Sequence, residues 1–452
     1  MTLRFGTDGV RGVANAELTP ELVLRLGRAA SRVIGGDDAT FYVGRDTRVS
    51  GPLLQAALTA GLAAEGASVV DLGVLPTPGV AWLSAADGVP AAMISASHNA
   101  FADNGIKFFA AGGRKLPDEV EERLEAELDR LAHPELGVDR ARIGTDLRPV
   151  RSVAGDAITR YCDALVASLE GRRLDGLHIV VDCAHGAASD VAPAVLRRLG
   201  AEVEVIHAQP DGVNINAGCG STHPESLQRS VVALGADAGL AFDGDADRVL
   251  AVDASGAVVD GDQLIAICAL DLRSRGGLKD DTVVVTVMTN LGFHLAMAEH
   301  GVHVEQTAVG DRYVLEALAR GGWSLGGEQS GHVIFSELAT TGDGVLTGLQ
   351  VLDVVRRSGR PLAELASVMT RLPQVLENVR VRDRDALLDD AAALDAEVAA
   401  VEAELGDHGR VLIRPSGTEP LVRVMVEAPT PAQASAAAAR LVAAVTAVCG
   451  TA

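Results

Sequence analysis

The sequence predicts an α/β protein in which three α/β domains with mixed, mostly parallel sheets are followed by a C-terminal α+β domain. Short apolar runs alternate with helical patterns, and this order recurs three times along the chain, as expected of βαβ units. The length of 452 residues favours about three domains of roughly 150 residues each. The pattern changes near the end, where two strands precede one long Ala-rich helix.

The predicted elements follow one another in a regular order. The first round comprises the strand 40–44, the helix 51–66 and the strands 67–73 and 90–97. The second comprises the strand 178–183, the helix 190–199, the strand 202–206 and the strand that ends in the loop at 243. The third comprises the strand 282–288, the helix 292–300, the strand 302–307, the helix 311–320 and the segment 323–332. The tail comprises two strands within 411–428 and the helix 431–448.

Two acidic helices and a linker complete this organisation. The helices 118–132 and 387–405 carry many acidic residues and are expected to present solvated faces. The stretch 133–155 contains scattered Pro and Gly and is expected to be a linker. We therefore place the predicted domains at 1–150, 151–253, 254–367 and 368–452.

Composition limits the possible functions. With 48% hydrophobic but only 3% aromatic residues, the cores must consist of Ala, Val and Leu. A net charge of −22 argues against a nucleic-acid or anionic-membrane surface. The five cysteines form no C-x-x-C pair, which fits a reducing compartment and argues against a zinc site. There is no apolar signal-peptide region, and no apolar run approaches the roughly 18 residues of a membrane span, so a cytoplasmic protein is expected.

The stretch "GLAFDGDADRV" (239–249) places aspartates at alternate positions, Asp243, Asp245 and Asp247. Their like charges repel unless a cation lies among them. An EF-hand loop is excluded because its sixth position is Arg248 and its twelfth is Ala254. Hard carboxylate oxygens suit Mg²⁺, which commonly takes a phosphate oxygen as well. The alternative is a polar turn whose aspartates cap neighbouring amides.

The loop "ISASHNAFADNGIKFF" (94–109) brings Ser95, Ser97, His98 and Lys107 within a short stretch. A serine beside His and Lys could act as a nucleophile, with His98 or Lys107 as the base or acid. The G-x-S-x-G elbow of esterases is missing. In the alternative interpretation, His98 caps the loop and Lys107 lies in solvent.

Two further loops carry polar groups suited to an anionic, hydroxylated ligand. "RPSGTEP" (414–420) and the strand after it offer hydroxyls, a close backbone approach and positive charge from Arg414, Ser416, Gly417, Thr418 and Arg423. "GEQSGH" (327–332) offers Glu328 and Ser330 for hydroxyl recognition. The alternatives are a hairpin turn for the first loop and a strand-to-helix turn for the second. Because ligands bind at the carboxyl ends of strands in open parallel sheets, the loops are expected to share one site.

The motifs "SASHN", "DGDADR", "GEQSGH" and "RPSGTEP", in this order, resemble those of the α-D-phosphohexomutase superfamily, and the resemblance spans nearly the whole chain. The opening "FGTDGVRG" (5–12), Gln329 and "VGDRYV" (309–314) are similar to the branch that acts on glucosamine phosphates. The resemblance implies a heart-shaped molecule of four domains around a central cleft. The family usually reads Ser-His-Asn-Pro, whereas Ala100 stands at the proline position here, which makes the loop less stiff.

The resemblance also implies roles for individual residues. Ser97 would be the phosphoserine, and its phosphate would complete a Mg²⁺ site formed by Asp243, Asp245 and Asp247. Lys107 would act as general acid/base, and Arg11 would neighbour the phosphoserine. Glu328 and Ser330 would bind sugar hydroxyls. The non-reacting phosphate would be held by Arg414, Ser416, Gly417, Thr418 and Arg423.

The activity implied by the resemblance is interconversion of glucosamine 6-phosphate and glucosamine 1-phosphate through glucosamine 1,6-bisphosphate. The product would feed UDP-N-acetylglucosamine synthesis, and a homodimer is an expected assembly that the sequence does not fix. One alternative is a phosphomannomutase/phosphoglucomutase. Others are a haloacid-dehalogenase-type phosphatase with Asp243 as nucleophile, and a non-catalytic binder of sugar phosphate or Ca²⁺.

Overall fold

The computed structural model describes residues 9–36, 39–133, 144–381, 392–415 and 421–449. Two compact units divide the chain: Met1–Met288 with Val302–Val368, and Thr289–Gly301 with Met369–Ala452. The first unit contains three sheets, each with parallel strands at its centre, and the second contains one antiparallel sheet. This architecture confirms the predicted fold class, whereas the predicted domain boundaries stay a prediction.

The first sheet has the spatial order β1-β5-β4-β2-β3-β7, with β6 beside β5. Its strands are β1 (Val10–Val13), β2 (Thr40–Arg45), β3 (Ser68–Val74), β4 (Ala91–Ile94), β5 (Asp103–Ala110), β6 (Arg114–Lys115) and β7 (Val150–Ser152). Strand β2 runs parallel to β3 and β4, whereas β5 runs antiparallel to β4 and β1. The loop after β4 is therefore the turn of a hairpin.

The second and third sheets repeat this plan. The second has the order β12-β11-β10-β8-β9 and the third β14-β13-β15-β16. Their strands are β8 (His178–Asp182), β9 (Glu202–Ile206), β10 (Ala238–Phe242), β11 (Val249–Asp253), β12 (Val258–Val259), β13 (Thr282–Thr286), β14 (His303–Thr307), β15 (Leu325–Gly327) and β16 (Val333–Phe335). In each sheet a parallel strand, β10 or β15, is followed directly by an antiparallel return, β11 or β16.

Helices pack around these sheets, and several begin at a side-chain cap. Thr19 caps the helix that starts at Pro20, and Asp260 forms a capping box with Gln263, which satisfies amides left unpaired at a helix start. The first unit has helices Pro20–Ala30, Gly51–Ala64, Thr77–Asp87, Asp118–Ala132, Ala154–Ala167, Ala188–Arg198, Glu225–Leu234, Gly261–Ser274, Asp311–Gly321, Gly344–Ser358 and Leu362–Ala366, with a π-helical turn at Ser31–Gly35 and 3₁₀ turns at Gly144–Asp146 and Lys279–Asp281.

The core of the first domain is mostly aliphatic, as the composition predicts, although Phe41 and Phe108 are also buried in it. Leu26, Leu58, Val69 and Ile94 are fully buried in one cluster, and such burial supplies most of the folding free energy. The helices Pro20–Ala30 and Gly51–Ala64 approach very closely, since a Cβ on Gly61 would lie 2.1 Å from the carbonyl oxygen of Leu24.

The second unit confirms the α+β tail. Its sheet is antiparallel throughout, in the order β17-β19-β18. The elements are β17 (Gln374–Arg380), β18 (Arg410–Pro415), β19 (Leu421–Glu427), a 3₁₀ turn at Gly406–His408, and the helices Leu291–Glu299, Ala392–Leu405 and Pro431–Cys449. In the sequence, the helix Leu291–Glu299 lies between β13 and β14 of the third sheet, but it belongs to the second unit.

The last helix corrects one expectation. Pro431–Cys449 is long and apolar enough to cross a membrane by length and composition, so the expectation that no apolar run approaches that length is wrong. A single helix of this kind is weak evidence for a span, because core helices pass the same test. Here Leu441 and Val445 are buried in one cluster with Val424, so one face of the helix packs on its own sheet.

The expectation of a linker at 133–155 is also wrong in part. Residues 134–143 lie outside the described residues, but β7 adds to the sheet edge in parallel with β3, and a helix begins at Ala154. Similarly, "GEQSGH" forms the turn of an antiparallel hairpin and not a strand-to-helix turn. In the acidic helix Asp118–Ala132, the leucines are buried and most of the acidic side chains are exposed, as expected. The start of the second predicted acidic helix lies outside the described residues.

Candidate active site

Three hairpin turns of the first unit come together at the carboxyl ends of β4, β10 and β15. The first and second turns meet at Ser97 and Asp243, whose side chains are hydrogen-bonded although they lie 146 positions apart. The second and third turns meet where the amide of Val249 donates to the carbonyl of Gly331 at 3.1 Å. The structure therefore assembles three of the four predicted loops into one site.

Ser97 is buried at the centre of this site. Its Oγ donates to Oδ2 of Asp243 at 2.6 Å, and Nδ1 of His98 lies 3.4 Å from the same Oγ. The backbone of Ser97 has φ = 51°, in the left-handed region that non-glycine residues rarely adopt. Such conformations persist only where surrounding contacts hold them.

Those contacts come chiefly from Arg48, which the sequence analysis missed. Its fully buried guanidinium donates to four backbone carbonyls of the serine loop, those of Ser97, Asn99, Ala100 and Asp103. The carbonyl of Ala100 is among them, so Arg48 clamps the loop at the position where the resemblance led us to expect a proline. In the sequence, the signal for this role is the charged pair Asp46 and Arg48, which comes directly after β2.

A second set of buried groups anchors that clamp. Oδ2 of Asp46 accepts from Nε of Arg48 at 2.8 Å and from Oγ of Ser95 at 2.7 Å. Oγ of Ser95 in turn accepts from the amide of Ser97 at 2.9 Å. The side chain of Asn216 donates to the carbonyl of Ser97 at 2.8 Å. Of the residues that support Ser97 in this way, only Ser95 was among the sequence candidates.

Gly244 allows the acidic loop to approach the serine loop. A Cβ at this position would lie 2.5 Å from the carbonyl oxygen of Ser97 and 2.8 Å from the side-chain nitrogen Nδ2 of Asn216. Any side chain would therefore push the two loops apart. The glycine of the "DGD" pattern is therefore required by this close approach.

The aspartates of the acidic loop form a buried cluster in which one oxygen from each of Asp243, Asp245 and Asp247 lies within 4.8 Å of the others. Burial raises the pKa of Asp243 well above its usual range, and the charges of Asp247 and Asp245 raise it further. Burial alone would also raise the pKa of Asp247, but Lys107 and His332 hold that pKa well below its usual range. The cluster thus concentrates negative charge in a region from which water is excluded.

The donor set of this cluster fits a hard divalent cation. Oδ1 of Asp245 and Oδ1 of Asp247 are buried and accept no hydrogen bond from the described residues. A buried carboxylate oxygen without a donor is costly, and a cation among the three carboxylates would satisfy both oxygens. Oxygen ligands of this kind are those that Mg²⁺ and Ca²⁺ prefer.

Lys107 belongs to the site and not to solvent. It lies on β5 and is buried, with Nζ 3.1 Å from Oδ2 of Asp245 and 3.6 Å from Oδ2 of Asp247. Oγ1 of Thr77 also donates to Oδ2 of Asp245, at 2.6 Å. Part of the negative charge of the cluster is therefore offset by protein groups.

His98 lies between positive groups. Burial lowers its pKa, and the charges of Arg248 and Arg11 lower it further; Nη1 of Arg248 lies 3.4 Å from Nδ1 of His98. The imidazole is therefore neutral near pH 7. Arg11 lies on β1, paired in register with Gly105 on β5, so the structure brings Arg11 to the serine loop.

His332, the last residue of "GEQSGH", also belongs to the site. It was not among the candidates predicted from the sequence. It is buried, with Nδ1 3.7 Å from Oδ2 of Asp247 and Nε2 3.5 Å from Oδ2 of Asp311. Burial alone would lower its pKa, but the hydrogen bond and charge of Asp247 and the charge of Asp311 raise it. His332 thus links the third turn to the acidic cluster.

Glu328 and Ser330 lie on the third turn. Oε1 of Glu328 accepts from the amide of Gly310 at 3.2 Å, and Oγ of Ser330 donates to its Oε2 at 3.4 Å. Ser330 is exposed, so its hydroxyl is accessible to a ligand. The close approach of Gly331 to Val249 fixes this turn next to the acidic loop.

The fourth predicted loop belongs to the second unit. Arg414 and Arg423 stand opposite each other in register on β18 and β19. Burial lowers the pKa of Arg414, and the adjacent charge of Arg423 lowers it further. Two cations held side by side favour an anionic ligand. Ser416, Gly417 and Thr418 lie outside the described residues.

The fold and this site define a class of protein, and comparison with known proteins identifies it. Sequence profiles of phosphoglucomutase/phosphomannomutase α/β/α domains I, II and III match residues 2–135, 159–256 and 260–372, and the profile of the C-terminal domain matches residues 376–444. The chain belongs to the phosphoglucomutase/phosphomannomutase family. It is an enzyme of the phosphohexomutase superfamily, an isomerase of the phosphomutase type.

Curated relatives are similar over nearly their whole length. A phosphoglucosamine mutase of Rhodococcus opacus (strain B4) is 58% identical over 429 residues, which cover 94% of this chain and 95% of the relative. A phosphoglucosamine mutase of Frankia alni is 57% identical over 456 residues and 98% of each chain.

Solved structures share the fold. A phosphoglucomutase/phosphomannomutase family protein from Burkholderia thailandensis has a TM-score of 0.80 and 25% identity and covers 98% of this chain and 97% of its own. An Aspergillus fumigatus N-acetylphosphoglucosamine mutase in complex with GlcNAc-6P and magnesium has a TM-score of 0.70 and 19% identity, and covers 100% of this chain and 96% of its own.

Proposed function

We propose that this phosphomutase interconverts glucosamine 6-phosphate and glucosamine 1-phosphate, with phospho-Ser97 as the phosphoryl donor and glucosamine 1,6-bisphosphate as the intermediate. The observation that carries the proposal is the 2.6 Å hydrogen bond between Oγ of Ser97 and Oδ2 of Asp243 within the buried acidic cluster. A hydroxyl at the edge of a cation site is suited to carry a phosphoryl group. The preference for glucosamine is supported by the names of the relatives at 55–58% identity.

Asp243, Asp245 and Asp247 would hold Mg²⁺, with an oxygen of the Ser97 phosphate as a further ligand. When bound, Mg²⁺ would supply positive charge that stabilises the transferring phosphoryl group. The two buried oxygens without hydrogen-bond donors support this assignment. Lys107, which contacts two of the three carboxylates, offsets charge at the same place.

The transfer itself is assigned to side chains of the first unit. The phosphorus–oxygen bond to Oγ of Ser97 breaks as a bond forms to the free hydroxyl of the sugar phosphate. The hydroxyl proton passes to a base, for which neutral His98 is the candidate, and the departing Oγ of Ser97 takes a proton from an acid, for which the Lys107 ammonium group is the candidate. Arg248 and Arg11, whose charges depress the pKa of His98, stabilise the phosphoryl oxygens. The bisphosphate then reorients and returns its other phosphoryl group to Ser97.

Two further sets of residues would hold the substrate. Glu328 and Ser330 would bind sugar hydroxyls, and the exposed hydroxyl of Ser330 supports that role. The non-reacting phosphate would bind Arg414, Ser416, Gly417, Thr418 and Arg423. A site built from guanidinium groups, hydroxyls and amides reads the phosphate and not the sugar, so it would accept a phosphate on either carbon.

The preference for glucosamine phosphates is tested by comparing substrates side by side. We expect kcat/KM for glucosamine 1-phosphate to exceed that for mannose 1-phosphate and glucose 1-phosphate by at least about tenfold, because a polar site discriminates strongly among polar substituents. The measurement is coupled turnover of each sugar phosphate in the presence of its bisphosphate. Equal or higher kcat/KM with mannose or glucose phosphate would favour the phosphomannomutase/phosphoglucomutase alternative, and release of inorganic phosphate would favour a phosphatase.

Removal of divalent cations is expected to stop turnover. Without a cation, the mutual repulsion of the buried carboxylates opposes approach of a phosphate, so we expect the rate to fall at least about a hundredfold and to recover with Mg²⁺. The measurement is glucosamine 6-phosphate formation after dialysis against EDTA, with residual metal quantified by mass spectrometry. Full activity in a preparation free of metal would contradict the assignment.

A further inference from the structure

A second group of metal-ligating side chains lies in the second sheet. Asp182 ends β8, His207 follows β9, and Cys219 lies in the loop beyond it, so these residues meet at the carboxyl ends of adjacent parallel strands. One ligand atom from each lies within 4.8 Å of the others. Asp182 and Cys219 are buried, whereas 28% of the His207 side chain is exposed.

The protein holds this group in place through Asp182. Its Oδ1 accepts from the amide of Ala184 at 2.9 Å, and its Oδ2 accepts from the amide of Gly220 at 3.0 Å. Nδ1 of His207 lies 2.9 Å from the same Oδ2. A carboxylate fixed by two backbone amides is a rigid ligand, and the exposed side of His207 gives solvent a route to it.

We propose that Asp182, His207 and Cys219 bind a transition-metal ion of the Zn²⁺ class at a site separate from the acidic cluster. One nitrogen, one oxygen and one sulfur ligand suit Zn²⁺, whose bonds to such atoms are about 2.0–2.3 Å. Mg²⁺ prefers oxygen ligands only, so the two sites would select different ions. On binding, the Cys219 thiol would release its proton to solvent, His207 would carry its proton on Nε2 so that Nδ1 can bind the ion, and water would complete the coordination.

The three ligands come from separate loops. The absence of a C-x-x-C pair, which argues against zinc in the sequence, therefore does not bear on a site of this kind. The loop that carries Cys219 also carries Asn216, whose side chain donates to the carbonyl of Ser97. Oγ1 of Thr47, next to Arg48, donates to the carbonyl of His185 at 2.6 Å. An ion at this site would therefore brace the same loops that hold the serine loop.

Cobalt(II) is the probe that tests this site, because a bound thiolate gives Co²⁺ an intense near-ultraviolet charge-transfer band that oxygen ligands do not give. The full-length protein is titrated with Co²⁺ in excess Mg²⁺, which occupies the acidic cluster. We expect one equivalent of Co²⁺ to produce the band in the wild type. Cys268→Ser is the matched control and should keep the band, since Cys268 is also a buried cysteine but lies in the helix Gly261–Ser274, outside this group.

Cys219→Ser should abolish the band, and His207→Ala should weaken Co²⁺ binding by at least about tenfold. Because His207 is half-buried and Cys219 is buried, replacement of His207 disturbs the fold less. Circular dichroism checks that each variant is folded. The proposal is overturned if the wild type shows no saturable band. It is also overturned if a folded Cys219→Ser variant keeps the band.

Discussion

Ser97→Ala should abolish mutase turnover, with a loss in kcat of at least about a thousandfold, because the variant has no hydroxyl to carry the phosphoryl group. Ser97 is buried, and within the described parts of the chain its hydroxyl is the one that donates to Asp243. The measurement combines glucosamine 1-phosphate turnover with intact-protein mass spectrometry. The wild type should carry one phosphate that maps to Ser97, and the variant none.

Ser274→Ala is the matched control, since this hydroxyl only contacts a carbonyl of its own exposed helix end. It should retain activity and the phosphate on Ser97. A Ser97→Ala variant that keeps more than a tenth of the wild-type rate would contradict the phosphoserine assignment. If Asp243→Asn were then inactive, the phosphatase alternative with Asp243 as nucleophile would gain support.

Arg48→Lys should lower kcat by about a hundredfold with a smaller change in KM. A lysine keeps the charge beside buried Asp46 but cannot reach four carbonyls at once, so the serine loop is expected to lose its fixed geometry. Displacement of a reacting group by about 1 Å costs about that factor. A large fall in kcat with a smaller change in KM is a result that a purely structural role of Arg48 would not produce.

Arg45→Lys is the control, because the guanidinium of Arg45 donates to Oε1 of Gln55 and to the carbonyl of Asp46 and, within the described residues, to no carbonyl of the serine loop. Urea unfolding of each variant shows whether a lower rate reflects a misplaced serine loop or a loss of folded protein. Lysine is chosen because an uncharged residue in place of Arg48 would leave buried Asp46 unpaired, at a cost of about 3–5 kcal/mol. A folded Arg48→Lys variant with wild-type kcat would show that the clamp does not position Ser97 for transfer.

Much of the fold could be predicted because strand and helix patterns are local. The apolar runs at 40–44, 178–183 and 282–288 each became strands, and their polar ends lie at the carboxyl edges of the sheets. The antiparallel returns β5, β11 and β16 were missed, because a short strand after a polar turn carries no periodicity of its own. The edge strand β7 was missed for the same reason.

The candidate site was predicted only where several polar residues are close together in sequence. The alternating aspartates and the Ser-His pair met that condition. Arg48 and His332 also stand among polar residues, in "RDTR" (45–48) and "GEQSGH" (327–332), but the local pattern does not show what either side chain contacts. The clamp joins Arg48 to a carbonyl 49 positions away, and nothing in the local pattern around Arg48 indicates its partner. Gly244 approaches the carbonyl of Ser97 closely because two separate loops meet there, which the residues around Gly244 in the sequence do not show.

By itself, the sequence determined the secondary-structure classes, the aliphatic cores and the clustering of negative charge at 243–247, because these depend on side chains a few positions apart. Only the tertiary structure decided that Ser97 donates to Asp243, that Lys107 is buried against the acidic loop and that Arg48 holds the serine loop. Those contacts depend on how separate sheets pack, and the free energy of that packing is spread over many distant residues.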